Sequence, residues 1–544
     1  MTPPKRAKKA STESHSESTT ESHTLYGHAG VVTFYTLLSR ILGLARDLVI
    51  SHRFGASGAS DAWVQAFRVP NALRRLTAEG SMSVAFVPVY VNLRETEGRQ
   101  AALDFARRAL GMVLFVTLLL TGLGMVFSDG LTWLVSPGFA QDPERFDLTS
   151  RLIWWNFPYL ALVSLVAWAM GVLNSEKRFA APAAAPIFLN LGIIAAVVWF
   201  SWAFTPPIVA VGAGVLAGGV AQVLLQIPSL RAAGVPLTPL GGWNHPHMKK
   251  LYALLVPSLF GVAVYQINII LLGMIASYLP TGQIFYYNNA TRLTEFVLGL
   301  FAFAFTTAGL PALSAHQSRQ DWEKVSGTLR LTFSAVLFVV LPATLGLMAA
   351  GEPVVSMLYL HGQYTLDDTR RTATTMAAMA LGMPAVALVR AMVPAFYTLG
   401  NPRTPVVLSA LSVGVTGALG WQLSQTWQVE GLALGLSLGT WFQCLALGLS
   451  LKYQARHLSG WFPWRAVLLQ SGAAVAASAL AWQLASLGRW DQGGLLLTNW
   501  LLLVLVIGSA AGVYLTITLL SGEPEAANWM KLLGRVGRKL KLKG

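Results

Sequence analysis

The sequence has a single cysteine and few charged residues. Cys444 is the only cysteine in 544 residues, so an intrachain disulfide and a cysteine-based metal site are excluded. Only 12% of the residues are charged, against about 25% in a typical soluble domain. The GxxxxGK[ST] nucleotide-binding motif and the HExxH zinc motif are both absent. We therefore expect no nucleotide-hydrolysing site and no metal centre in this chain.

Apolar residues dominate what remains. Hydrophobic residues make up 54% of the chain, and the mean hydropathy is +0.54, which is typical of a protein that crosses the membrane many times. The sequence predicts fourteen membrane-spanning helices, at approximately 31–50, 61–93, 109–127, 149–173, 181–203, 207–230, 250–279, 283–313, 328–350, 372–399, 404–424, 430–452, 465–487 and 495–520.

The basic residues between these spans predict the orientation. With a cytoplasmic N-terminus, the inner segments carry 26 Lys and Arg residues and the outer segments carry 5. Because positive loops stay on the cytoplasmic side, both termini are expected there. The same rule explains the formal net charge of +15 without a nucleic-acid partner. Residues 1–27 are polar and should be a disordered tail, and the basic tail 521–544 should be attracted to anionic lipid.

A weak internal repeat predicts the architecture. Pro158 with its following apolar residues resembles Pro384, 226 residues later, and Gln222 matches Gln443, 221 residues later. Six spans separate each pair, so the two copies share one orientation and should pack around an axis along the membrane normal. We therefore predict an all-α protein with two pseudo-symmetric six-helix lobes and two extra C-terminal helices. The predicted segments after the tail 1–27 are lobes at 28–231 and 232–453, the extra spans at 454–520 and the tail 521–544.

Charged residues inside the first two spans are the candidate site. A charge at the centre of a bilayer costs roughly 2.5–3.5 kcal/mol, so such side chains seldom face lipid. We expect these residues to line a polar cavity, together with Arg292 and Glu295 in the eighth span. The first-span and second-span residues are Arg40, Arg46, Asp47, Asp61, Arg68, Arg74, Arg75 and Glu79.

Two interpretations of this cluster stay open. The arginines could pair with acids between helices: Asp47 is seven residues from Arg40, and Asp61 is seven residues from Arg68. Arg75 could likewise pair with Glu79, four residues on. For Arg46, Arg74 and Arg292 we favour contact with an anionic substrate, because the arginines outnumber the acids. One guanidinium group can also bind two phosphate oxygens at once through parallel N–H groups.

Four sequence blocks resemble one known family. They are SRILGLARD (Ser39 to Asp47), the stretch from Phe54 to Ser81, AFVPVY (Ala85 to Tyr90) and RLTEF (Arg292 to Phe296). These resemble the MurJ/MviN lipid II flippases of the multidrug/oligosaccharidyl-lipid/polysaccharide exporter superfamily, over essentially the whole chain after the N-terminal tail. The resemblance implies a protein of the bacterial cytoplasmic membrane that moves lipid II to the outer leaflet by alternating access.

The resemblance also implies particular site residues. The cavity arginines of the family match Arg40, Arg46, Arg74 and Arg292, and its first-lobe acids match Asp47 and Asp61. With Glu79 added, the predicted substrate-binding set is Arg40, Arg46, Asp47, Asp61, Arg74, Glu79 and Arg292.

This chain departs from many relatives at two places. Thr291 stands where many carry an acid before the eighth-span arginine. Gln266 and Asn268 are the polar residues nearest to a seventh-span acid that helps some relatives bind sodium.

No cofactor is expected, although an ion gradient or the membrane potential could drive transport. The expected partners are lipid II and membrane lipids, with a single chain as the working unit and the two extra spans in contact with the polyprenyl tail. The main alternative is a flippase for another polyprenyl-diphosphate-linked oligosaccharide. An exporter of cationic drugs would need acids in its cavity, and the richness of this cluster in arginine argues against that function. A membrane enzyme acting on polyprenyl phosphates would need a pair of acids for a metal, or a base near the membrane surface, and the sequence shows no such cluster.

Overall fold

The computed structural model describes residues 6–77, 81–318, 321–454 and 460–531, and within these ranges the regular structure is helical throughout. The long helices follow from the runs of apolar residues, since backbone groups inside a bilayer must be satisfied within the helix itself. Eighteen α-helices are present in the described ranges: α1 (Arg6–Phe54), α2 (Gly58–Thr77), α3 (Ser81–Thr96), α4 (Arg99–Val126), α5 (Ser128–Val135), α6 (Pro143–Asn156), α7 (Pro158–Ser175), α8 (Ala180–Phe200), α9 (Val209–Ala232), α10 (Pro246–Ala276), α11 (Gln283–Ser318), α12 (Trp322–Ala349), α13 (Gly351–Tyr359), α14 (Leu366–Ala380), α15 (Met383–Thr398), α16 (Arg403–Gln454), α17 (Trp464–Ala485) and α18 (Leu497–Leu520).

The predicted fold class, an all-helical polytopic membrane protein, is confirmed. In the part of the chain that the structure describes, nine helical segments are long and apolar enough to cross a membrane. Every predicted span overlaps at least one helix. The count of fourteen is consistent with these helices and stays a prediction, as do the predicted lobe boundaries.

The N-terminal helix differs from the expectation for the polar tail. Helix α1 is continuous from Arg6 to Phe54, so it includes most of the residues 1–27 that we predicted to be disordered. Adding a residue to an existing helix gains one hydrogen bond without a new nucleation step. A polar segment continuous with the first span can therefore extend its helix.

The chain divides into two compact units. Unit 1 consists of residues up to Ile50, Ala66–Thr132 and Asp147–Ala263. Unit 2 consists of Ser51–Gln65, Trp133–Phe146 and the chain from Val264 onwards.

Unit 1 has an aromatic core and one very close helix pair. Phe86 stacks on Phe105 with ring centroids 5.0 Å apart, and both side chains are fully buried. Helices α8 and α9 approach until a Cβ atom on Gly218 would lie 2.8 Å from the Leu189 Cα atom. Small residues at such an interface let two membrane helices pack backbone to backbone.

Unit 2 holds the two extra C-terminal helices against α12. Tyr514 on α18 donates a hydrogen bond to the Phe338 carbonyl at 2.7 Å. Gln470 on α17 donates to Ser334 Oγ of α12 at 3.2 Å and to Glu523 Oε1 at 2.9 Å. The extra helices are therefore an integral part of this unit.

Helix α16 contains a sharp break. Gln428 has φ 46° and ψ −127°, a backbone conformation that residues other than glycine rarely adopt. Its Oε1 atom accepts hydrogen bonds from Gln283 Nε2 at 2.8 Å and from Arg371 Nη1 at 3.3 Å. These contacts help to hold the reversal between the two halves of α16.

Candidate functional site

Arg46 and Asp47 on α1 are bonded to each other in unit 1. Asp47 Oδ1 accepts from Arg46 Nε at 2.9 Å and from Arg46 Nη2 at 2.6 Å. The two side chains are 12% and 10% exposed. A guanidinium that is this deeply buried needs a partner, because an unpaired buried charge is strongly destabilising.

This pairing differs from the interhelical pairing that the sequence left open. Asp47 pairs with Arg46 and not with Arg40, which lies seven residues earlier and is exposed. Adjacent residues on a helix normally point apart. The length of the arginine side chain lets its guanidinium fold back to the neighbouring carboxylate, and seven-residue spacing gave no hint of it.

A residue on α8 completes the environment of Arg46. Asn190 Oδ1 accepts from Arg46 Nη1 at 3.1 Å. Asn190 is not among the candidates predicted from the sequence, although a signal is present: it is the only amide side chain within the otherwise apolar helix Ala180–Phe200. A polar residue inside a membrane helix usually faces protein and has a function.

Arg74 also lies in unit 1 and has a polar neighbour on its own helix. Its Nε atom donates to Asn71 Oδ1, one turn earlier on α2, at 3.1 Å. Arg74 is half-buried. Glu79, with its predicted pairing to Arg75, lies outside the described residues.

In unit 2, Asp61 occupies the start of another helix. Its carboxylate is fully buried and accepts backbone hydrogen bonds from Gly282 at 2.7 Å and from Phe285 at 2.9 Å. Gly282 directly precedes α11 and Phe285 lies in its first turn, so Asp61 acts as a cap contributed by a distant part of the chain. The negative charge also suits the positive end of the helix dipole.

The charged partner of Asp61 was also missed from the sequence. Arg145 Nη1 lies 3.5 Å from Asp61 Oδ2, while Arg145 Nε donates to Asp142 Oδ2 at 2.7 Å. The Arg145 guanidinium stands over the Phe139 ring, 4.6 Å from its centroid. No sequence pattern indicates this pair, because 84 residues separate Asp61 from Arg145.

The eighth-span residues lie on α11. Arg292 is half-buried and Glu295, one turn later, is exposed. Thr291 donates its hydroxyl to the Tyr287 carbonyl at 2.8 Å, so the residue that replaces an acid of many relatives bonds to its own helix. The structure thus places the candidates in two groups, with Arg40, Arg46, Asp47 and Arg74 in unit 1 and Asp61 and Arg292 in unit 2.

The described ranges contain no group of three or more His, Cys, Asp and Glu residues that could hold a metal ion. In the seventh-span helix α10, Gln266 is buried. Its amide offers one oxygen, which is a weak basis for holding a hard cation.

Comparisons with known proteins point to one family. A family model described as lipid II flippase MurJ matches residues 50–501. The probable lipid II flippase MurJ of Vibrio cholerae is 33% identical over 505 residues, which cover 90% of this chain and 95% of that protein. The lipid II flippase MurJ of Burkholderia cenocepacia is 32% identical over 457 residues, which cover 83% of this chain and 88% of that protein.

Solved structures share the fold. A lipid II flippase MurJ in an inward closed conformation matches with a TM-score of 0.75 and 24% identity, over 90% of this chain and 98% of that one. An inward-facing multidrug resistance transporter of the MATE family matches with a TM-score of 0.64 and 13% identity, over 80% of this chain and 98% of that one. At these identities the two matches speak for the fold alone.

Proposed function

Because this chain belongs to the lipid II flippase MurJ family, we propose that it moves lipid II from the inner to the outer leaflet of the bacterial cytoplasmic membrane. The observation that carries this proposal is the match of the family model to residues 50–501. The two relatives named as lipid II flippases support it, since they match over most of their own length.

The chemistry of the candidate residues suits such a substrate. A lipid-linked diphosphate must leave water on its way across the bilayer, and its charge then needs desolvated cations. Arginine provides parallel N–H groups that match paired phosphate oxygens. In this proposal Arg40, Arg46 and Arg74 of unit 1 bind the diphosphate, Asp47 and Glu79 orient these arginines, and Arg292 of unit 2 is a further phosphate-binding residue.

Asp61 has a different part in the proposed cycle. Its carboxylate holds the start of α11 through two backbone hydrogen bonds. In alternating access one side of the transporter closes while the other opens. We assign to Asp61 the role of stabilising one closed conformation of unit 2. When that conformation opens, Asp61 must exchange its hydrogen-bond partners.

The remaining parts of the proposal concern the lipid tail, the driving force and the working unit. The exposed apolar side chains of α17 and α18, such as Trp482 and Leu501, offer an apolar surface for the polyprenyl chain. An ion gradient or the membrane potential would drive the cycle, because the sequence has no nucleotide-binding motif. A single chain would carry out transport.

Depletion of the protein in its own cell tests the proposal directly. The lipid precursor should accumulate, and an impermeant reagent or enzyme added outside spheroplasts should find it inaccessible. Restoring the protein should return the precursor to the outer leaflet. Unchanged access after depletion contradicts the proposal, and accumulation of a different polyprenyl-diphosphate oligosaccharide supports the alternative substrate.

A further inference from the structure

We propose that Asn190 on α8 is a positioning residue that fixes the Arg46 guanidinium for a diphosphate group. This inference rests on the proposed function, because it assumes that Arg46 receives the phosphate oxygens. It goes further by assigning a role to a residue that is neither charged nor part of the arginine-rich segment.

Asn190 connects two points of α1 within unit 1. Its Oδ1 atom accepts from Arg46 Nη1 at 3.1 Å, and its Nδ2 atom donates to the Ser39 carbonyl oxygen at 3.1 Å. The side chain is 5% exposed. Both ends of the amide are therefore engaged, which fixes its orientation and the place of its oxygen atom.

Gly43 makes room for this amide. Residues 39, 43 and 46 or 47 lie on one face of a helix, because positions three and four apart are neighbours. A Cβ atom at Gly43 would lie 3.8 Å from Asn190 Nδ2, which is ordinary van der Waals contact. Alanine would fit there, whereas a branched side chain would occupy the space that the amide uses.

The donors of Arg46 show what the arrangement leaves available. A guanidinium has five N–H groups. Within the described residues, Asp47 takes the Nε hydrogen and one on Nη2, and Asn190 takes one on Nη1. One N–H remains on each terminal nitrogen, and two such groups form the fork that meets a pair of phosphate oxygens.

A neutral acceptor suits this position better than an acid. Asp47 already offsets the charge of Arg46. A second carboxylate would hold the guanidinium equally well but would repel an approaching anion. The amide fixes the geometry and leaves the local charge unchanged.

A double-mutant cycle tests the assignment. The probe is a polyprenyl diphosphate, and its dissociation constant is measured on the full-length protein in nanodiscs. Asn190→Leu should weaken binding about tenfold, the effect of losing one hydrogen bond to a charged group. The same change in an Arg46→Ala background should have no further effect, because Asn190 acts only through Arg46. Additive losses would contradict the assignment.

Two further variants separate positioning from folding. Gln226→Leu is the matched control: Gln226 is a buried amide on α9 that donates to the Ala181 carbonyl of α8 at 3.1 Å, and its loss should leave the affinity unchanged. Asn190→Asp keeps the acceptor for Arg46 but loses the donor to the Ser39 carbonyl, so some thermal stability should be lost. Its added negative charge should lower the affinity at least as far as Asn190→Leu does. Normal affinity in Asn190→Asp would show a merely structural role and overturn the proposal.

The variants also distinguish failure of the proposed function at Arg46 from failure of the inference about Asn190. If Arg46→Ala alone binds the probe as tightly as the unaltered protein, the role of Arg46 in the proposed function fails and this inference fails with it. If Arg46→Ala weakens binding but the Asn190 effect adds to it, only this inference fails.

Discussion

Single arginines in this protein lie in different surroundings. Arg46 has a carboxylate and an amide around it, within 2.6–3.1 Å. Arg74 has an amide one turn away at 3.1 Å, and Arg40 is exposed. Such differences matter for anion binding, because a cation that is fixed in advance loses less conformational freedom when its ligand arrives.

Arg74 provides a test of the guanidinium fork. Arg74→Lys keeps the charge but replaces two parallel N–H groups by a single ammonium group. If Arg74 binds the diphosphate, transport should fall at least tenfold while the amount of protein in the membrane stays normal. Complementation of a depleted strain and immunoblotting of membranes measure the two quantities.

The alternative interpretation of Arg74 makes the opposite prediction. If Arg74 is a structural partner of a buried acid, lysine should restore most of the function. Arg74→Ala should then reduce the abundance of the protein by leaving that acid unpaired. Full activity of Arg74→Lys would therefore remove Arg74 from the binding set.

Glu525 predicts a pH dependence just beyond the last span. Burial raises the pKa of its carboxyl group above the ordinary 4.5, the Asn528 side chain lowers it in part, and nearby Glu523 raises it further. A raised pKa means that the docked segment binds its proton more tightly than the undocked one. The contribution of Glu525 to the stability of the docked segment is therefore complete below about pH 4.5, and it is lost as the pH rises through the raised pKa of Glu525.

Hydrogen exchange over residues 523–531 measures this effect. After correction for the intrinsic rate, protection should decrease as the pH rises, and Glu525→Gln should abolish the decrease. The exposed acid Glu144 is the control, since Glu144→Gln should leave the profile unchanged. An unaltered profile in Glu525→Gln would assign the pH dependence to another group.

At the scale of elements, helix α11 begins with a cap that α2 supplies. Asp61→Ala removes the acceptor of two backbone N–H groups and the partner of Arg145. We expect a loss of about 2 kcal/mol in the free energy of unfolding, typical of a cap at the strong end of its range. Thermal unfolding in detergent is the measurement.

Asp142→Ala is the comparison for Asp61. Asp142 is the other acid bonded to Arg145, but its side chain is 38% exposed and it caps no part of α11. Asp142 Oδ1 also accepts from the Arg145 backbone N–H at 3.1 Å at the start of α6, so its loss should cost about 1 kcal/mol, less than the loss of Asp61. Equal losses would mean that Arg145, rather than the start of α11, is what Asp61 stabilises.

The elements themselves were largely predictable, and their mutual contacts were not. Apolar runs of about twenty residues gave the membrane helices, because the bilayer fixes both length and composition. The pairings of Asp61 with Arg145 and of Arg46 with Asn190 join residues 84 and 144 positions apart. Periodicity describes one helix at a time and carries no information about such pairs.

The candidate site shows the same division. The motif from Ser39 to Asp47 and the arginines at Arg74 and Arg292 indicated an anion-binding transporter, because charges in membrane helices are rare without a function. Asn190 is neutral, so a search for charged residues inside the spans does not find it. Its position alone in an apolar helix is the feature that would have found it.

At the scale of the whole molecule, the distribution of basic residues makes a topology prediction. Reporter fusions after Gly171 and after Gly522 should indicate the cytoplasm, and a fusion after Gln141 should indicate the outside. The physical reason is the 26-to-5 bias of Lys and Arg between the two sides. A C-terminal reporter on the outside would remove one span from the count of fourteen.

The reversal in α16 has a mechanical consequence. Its two halves meet at Trp427 and Gln428 with no linker between them, whereas residues 486–496 separate α17 from α18. If the chain were pulled out of the bilayer from its C-terminus, α18 and α17 would have slack to leave in separate steps. The two halves of α16 have no such linker, so the force that extracts the second half acts at once on the first half. We therefore expect this helical hairpin to leave the bilayer in one step.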